Sequence, residues 1–72
     1  MSKKIDVEYS VTGGCVLNEK ITCDITEAYF EFFHRIKMTR PQSGCVIRIE
    51  KYLTDGEAYY GKPELIHQVV LS

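Results

Sequence analysis

Cys23-Asp24-Ile25-Thr26-Glu27-Ala28-Tyr29-Phe30-Glu31-Phe32-Phe33-His34-Arg35-Ile36 is the stretch whose reading decides the fold. Ile25, Ala28, Tyr29, Phe32, Phe33 and Ile36 recur at i, i+3, i+4, i+7, i+8 and i+11, the spacing of one helical face. Asp24 and Glu27 suit a capping box. The Asp24 carboxylate would accept the Glu27 N–H, and the Glu27 side chain would reach back to the Asp24 N–H. The spacing predicts a helix over Ile25–Met38 that packs on a sheet through Tyr29, Phe32 and Phe33. Arg35, Lys37 and Arg40 fall at its C-terminal end, where the helix dipole favours cations. Glu31 and Arg35 stand in the favourable i, i+4 order, and Pro41 ends the helix.

Toward the N-terminus, Ile5, Val7, Tyr9 and Val11 alternate with Asp6, Glu8 and Ser10, the pattern of a half-buried strand. Gly13-Gly14 marks a hairpin. A three-residue loop, Thr12-Gly13-Gly14, sets Val11 opposite Cys15, Tyr9 opposite Leu17, Ile5 opposite Ile21 and Asp6 opposite Lys20. It keeps apolar residues on one face, whereas one residue of slip would reverse every side chain. Gly14 supplies the left-handed position. Glu19 then falls opposite Val7 on the core side. A bulge near Asn18-Glu19, or a shorter second strand starting nearer Ile21, would relieve that conflict.

Toward the C-terminus, residues 45–53 read as a third strand. Cys45, Ile47, Ile49 and Leu53 form one face, and Val46, Arg48, Glu50 and Tyr52 the other. Asp55-Gly56 suits a two-residue turn of the mirror-image type leading into Glu57-Ala58-Tyr59-Tyr60, which places Tyr52 directly opposite Tyr59. Gly61-Lys62-Pro63-Glu64 interrupts the chain. Pro63 with Glu64 suits a helix start, but Val69-Val70-Leu71 favours a strand, so Leu65–Leu71 is read as a fifth strand. The expected class is α+β: one amphipathic helix on a four- or five-stranded antiparallel sheet, in the order β-β-α-β-β-β. Residues 1–72 form a single small domain. One helix covers one face of such a sheet and leaves the other open.

The formal charge is −1 and the pI about 6.1, so no net field attracts a nucleic acid. No apolar run approaches the roughly 20 residues that span a bilayer, and the basic Met1-Ser2-Lys3-Lys4 is followed by a strand pattern in place of a signal core. With three cysteines, Cys15, Cys23 and Cys45, an odd count points to reduced thiols and a cytoplasmic protein. Each is read as a buried free thiol, since Cys15 and Cys23 are eight residues apart and no ligand pair has zinc-knuckle spacing. No metal and no cofactor is expected.

No catalytic residues are assigned either. His34 lies about 180° from Ile25 on the helical wheel and faces solvent. His67 reads as a half-buried strand histidine, and Asp55 as turn chemistry. Two features remain outside the fold's needs. Phe30 lies about 140° from Ile25, off the buried stripe. The open sheet face gathers Val46, Arg48, Glu50, Tyr52 and Tyr59, tyrosines flanked by charge of the kind that anchors protein contacts. The alternative is a tyrosine pair that only stiffens its hairpin.

In size and element order the chain resembles small phage-encoded inhibitors of bacterial defence, anti-CRISPR proteins among them, and the small linker polypeptides of phycobilisomes. That resemblance implies a non-catalytic adaptor or inhibitor and carries no residue assignments. The expected function is a small protein-binding module with no enzymatic activity. Its partner is a larger protein or a second copy, met through Val46, Arg48, Glu50, Tyr52 and Tyr59, with Phe30 as a further anchor. The alternative is a nucleic-acid accessory protein using Arg35, Lys37 and Arg40.

Overall fold

The computed structural model describes residues 4–14, 18–39 and 45–71. Helix α1 spans Ile25–Met38, as the aromatic spacing predicts. Its cap differs from the simple box. Asp24 accepts the Thr26 N–H at 2.8 Å, and the Asp24 N–H donates to Thr22 Oγ1 at 3.1 Å. Thr22 Oγ1 in turn donates to Glu27 Oε2 at 2.7 Å. A buried threonine hydroxyl thus stands between the two ends of the box and satisfies both. At the other end the Thr39 N–H donates to the Arg35 carbonyl.

Four strands form one antiparallel sheet: β1 Asp6–Gly13, β2 Lys20–Thr22, β3 Cys45–Thr54 and β4 Tyr59–Leu71, in spatial order β2-β1-β3-β4. Helix α1 connects β2 to β3. The α+β class with one helix on an antiparallel sheet is therefore borne out. Val11, Ile47 and Ile49 of the sheet close around Ala28 and Phe32 of the helix, flanked by Tyr9, Tyr29, Ile36, Ile66, Val69 and Leu71. No helix among the described residues is long and apolar enough to cross a membrane.

The helix is rolled away from the expected stripe. Ala28, Phe32 and Arg35 are its buried residues, whereas Phe33 is 59% exposed. Arg35 causes the roll. Its guanidinium donates to Glu31 Oε2 at 2.7 Å, to the Gly13 carbonyl at 3.0 Å and to the Asn18 carbonyl. Drawing that group inward to the carbonyls of Gly13, the last residue of β1, and Asn18 carries Phe33 outward, where it stacks on Tyr29.

The β1–β2 register also differs. Ser10 pairs with Ile21, Tyr9 with Thr22 and Val11 with Lys20, a register that a three-residue loop does not give. The predicted contacts of Cys15 and Leu17 lie outside the described residues. The shorter second strand is the solution adopted, and it frees Glu19 to accept the Ser10 hydroxyl at 2.9 Å. Gly13 turns at φ 102°, and a Cβ there would stand 2.0 Å from the Val46 carbonyl oxygen. Only glycine fits that close approach.

Two predicted C-terminal strands are one. β4 runs through Gly61-Lys62-Pro63-Glu64 because irregularities absorb the breakers. Lys51 pairs with Glu64 and Leu53 with Tyr60, so residues 61–63 bulge opposite Tyr52, and Gly61 takes a φ of 70°. β4 lies at the sheet edge, where a proline lacking an N–H is tolerated. The preceding loop is Asp55–Ala58, four residues in place of two, with Thr54 and not Tyr52 opposite Tyr59. Asp55 Oδ1 accepts the N–H groups of Glu57 and Ala58 at 2.8 and 2.9 Å and so builds this longer turn.

Candidate binding face

Alternation along β1 and β3 sends Val11, Ile47 and Ile49 to the helix. It therefore sends Glu8, Ser10 and Thr12 with Arg48, Glu50 and Tyr52 to the open face. Glu8 is paired with Tyr52, Ser10 with Glu50, and Ile21 with Ser10. Tyr59 joins them from β4 as the diagonal neighbour of Tyr52. The two rings lie 5.5 Å apart at 61°. A hollow of about 170 Å³ opens between them, lined by Glu8, Tyr9, Ser10, Glu19, Ile21, Tyr52 and Tyr59.

The electrostatics of this hollow are one-sided. Tyr59 donates its hydroxyl to Glu8 Oε1 at 2.9 Å, and that bond, with the Glu8 charge, pushes the Tyr59 phenol above its usual value. Tyr52 is raised first by burial and then by the charges of Glu50 and Glu19. Both phenols stay protonated well into the alkaline range. They offer ring faces and a donor among three carboxylates.

The sequence-predicted anchors divide. Tyr52 and Tyr59 come together, with Tyr59 59% exposed, and Glu50 lies near enough to act on Tyr52 by its charge without lining the hollow. Val46 and Arg48 share their face but lie further along β3, Val46 roughly 20 Å from Tyr52 at ~3.3 Å per residue. There Val46 pairs with Val70 and Arg48 with Gln68, and the tyrosine hollow does not include them. Glu19, Ser10 and Ile21 were not expected in the site. Their arrival depends on the longer β1–β2 connection, and the signal for it is the misfit of Glu19 in the short-loop register.

Phe30 is 73% exposed, as its wheel position predicts, and borders a shallow groove with Lys20, Glu27, Glu31 and His34. This is the helix side, so Phe30 and the tyrosines do not form one surface. One member of the basic cluster, Arg35, is corrected. Arg35 is 1% exposed and committed to Glu31, Gly13 and Asn18, so it is a structural cation with no access to phosphate. Lys37 is exposed, and Arg40 lies outside the described residues.

Cys23 is exposed, contrary to the buried reading, because it precedes the N-cap on the surface; Cys45 is half-buried. Cys15 lies outside the described residues. His67 is more exposed than expected for a half-buried strand histidine. As an edge residue of β4 it lays its ring against Phe32, at 5.1 Å, and Tyr29, at 6.0 Å.

Protein-family models, curated proteins and solved structures were each compared with the chain, and none matches.

Proposed function

We propose that this domain is a non-catalytic protein-binding module whose contact surface is the open sheet face centred on Tyr52 and Tyr59. The observation that carries the reading is the tyrosine-walled hollow on a sheet face that the helix leaves uncovered. Tyrosines spend little side-chain entropy on binding and present both an apolar ring and a donor, so they are frequent interface anchors. Exposed Ile21, 49% accessible beside the hollow, adds apolar area to the same patch.

Site-specific photo-crosslinking tests the assignment. A benzophenone side chain in place of Tyr59 should capture a discrete protein, and the same group in place of His34 on the helix side should not. Equal capture from both positions, or capture from neither, would refute it.

A further inference from the structure

The hollow carries negative charge that hydroxyl groups hold in place and no cation among the described residues balances. Glu8 is the cross-strand partner of Tyr52, and Glu50 stands two residues from Tyr52 on the same face. Glu19 is fixed beside them by its hydrogen bond from Ser10. Among the described residues the ion pair is Glu31–Arg35 on the helix, and no lysine or arginine pairs with Glu8, Glu19 or Glu50. These three carboxylates are not grouped closely enough to hold a metal ion. At about 170 Å³ the hollow is also smaller than the roughly 300–1,000 Å³ typical of small-molecule sites. It is sized for one inserted side chain.

We infer that the hollow receives the cationic end of a lysine or arginine side chain from a basic segment of the partner protein. This inference rests on the protein-binding reading of the same face. The two tyrosine rings, set at 61° to one another, supply the negative π-faces that attract a cation. Glu8 and Glu19, which line the hollow, then accept charge-assisted hydrogen bonds, and Glu50, on the same face and close enough to raise the Tyr52 phenol, adds its charge. Complementarity of this kind also steers encounter and makes association salt-dependent. A second copy is the poorer occupant. Two-fold packing of this face on itself brings the same three carboxylates against their counterparts, with Arg48 the one cation among the facing β1 and β3 residues.

The test is a titration of the isotope-labelled full chain with acetylated hexalysine, hexaarginine and hexaglutamate, read by amide NMR shifts. The basic peptides should move Glu8, Ser10, Glu19, Ile21, Tyr52 and Tyr59 saturably, and hexaglutamate should move none of them. Glu8→Gln/Glu19→Gln/Glu50→Gln should weaken hexalysine at least about tenfold, as loss of a hot spot does; Glu64→Gln, distant on β4, should leave it unchanged. If the triple variant does not fold, Glu8→Gln and Glu50→Gln are read singly, each weakening hexalysine. Shifts scattered over Glu57 and Glu64, no shifts, or an affinity indifferent to the neutral variants would overturn the inference. Loss of crosslinking in Tyr52→Ala with hexalysine silent at the face would leave the protein-binding reading standing and remove the cationic one. Saturable hexalysine binding at the face with no crosslinked protein would support the cation site and overturn its assignment to a partner protein.

Discussion

Tyr59 of β4 reaches Glu8 of β1 across the intervening strand, its hydroxyl 2.9 Å from the carboxylate and its ring 5.5 Å from that of Tyr52 on β3. This bond ties the edge strand to the sheet centre on the side the helix does not cover. It also fixes the wall of the hollow, so the same contact contributes to stability and to the shape of the open sheet face.

The bond has an alkaline signature. Tyr59 is raised above its unfolded value of 10.0, first by the hydrogen bond to Glu8 and then by its charge. Stability from the protonated phenol is therefore fully present below pH 10 and is lost as pH rises through the higher folded value. Tyr59→Phe should flatten part of the alkaline loss of stability, while Tyr52 and Tyr60, also raised, retain theirs. Unfolding followed by circular dichroism across the alkaline range checks this. A variant with an unchanged pH profile would show that the bond does not persist in solution.

The hairpin tip has an acid signature. Hydrogen bonds from Tyr60 and from the Glu57 and Ala58 N–H groups hold the Asp55 carboxyl down at about 2, below its ordinary 3.8. Its contribution is present above pH ~3.8 and is lost as pH falls through about 2. Asp55→Asn should weaken the turn at neutral pH and show less further loss between those two values. Amide exchange at Glu57 and Ala58 is the readout.

Arg35 should behave as a core residue. Arg35→Ala leaves the Gly13 and Asn18 carbonyls and Glu31 without their donor and should cost about 3–5 kcal/mol, as breaking a buried charged network does. Arg35→Lys should recover only part, because a single ammonium cannot serve three diverging acceptors with the guanidinium's fixed fork. Urea denaturation decides it, and a cost below about 1 kcal/mol for Arg35→Ala would contradict the assignment.

Phe32 and Phe33 are adjacent and should differ sharply. Phe32→Ala empties the centre of a small core and should cost about 3–5 kcal/mol, enough to unfold a domain of this size. Phe33→Ala removes an exposed ring whose contacts are Tyr29 and Phe32, and should cost about 1 kcal/mol. Comparable melting temperatures for the two variants would place the helix face wrongly.

Helix α1 was legible because fourteen residues repeat one period and are bounded by Asp24 and Pro41. The core faces of β1 and β3 were legible through alternation. Arg35 was not, since a cation in the last helical turn reads equally well as a dipole contact, and its carbonyl acceptors, Gly13 and Asn18, are 22 and 17 residues away in the chain. Register was the other loss. Pairing Ser10 with Ile21 depends on a connection whose length no local pattern fixes, and Glu19 was the one residue that objected to the shorter loop. In β4, Gly61 and Pro63 read as a break, yet an edge strand can bulge around both. The tyrosine pair survived these errors because a diagonal contact holds the rings together as a direct one would.

The most direct measurement is partner retention by the immobilised Tyr52→Ala/Tyr59→Ala chain, with its melting temperature and sedimentation recorded alongside the parent. The double variant should stay folded and lose its partner by more than about 1–2 kcal/mol of binding free energy, while Phe30→Ala keeps it. A folded double variant that retains both its partner and its oligomeric state would contradict the assignment of this face.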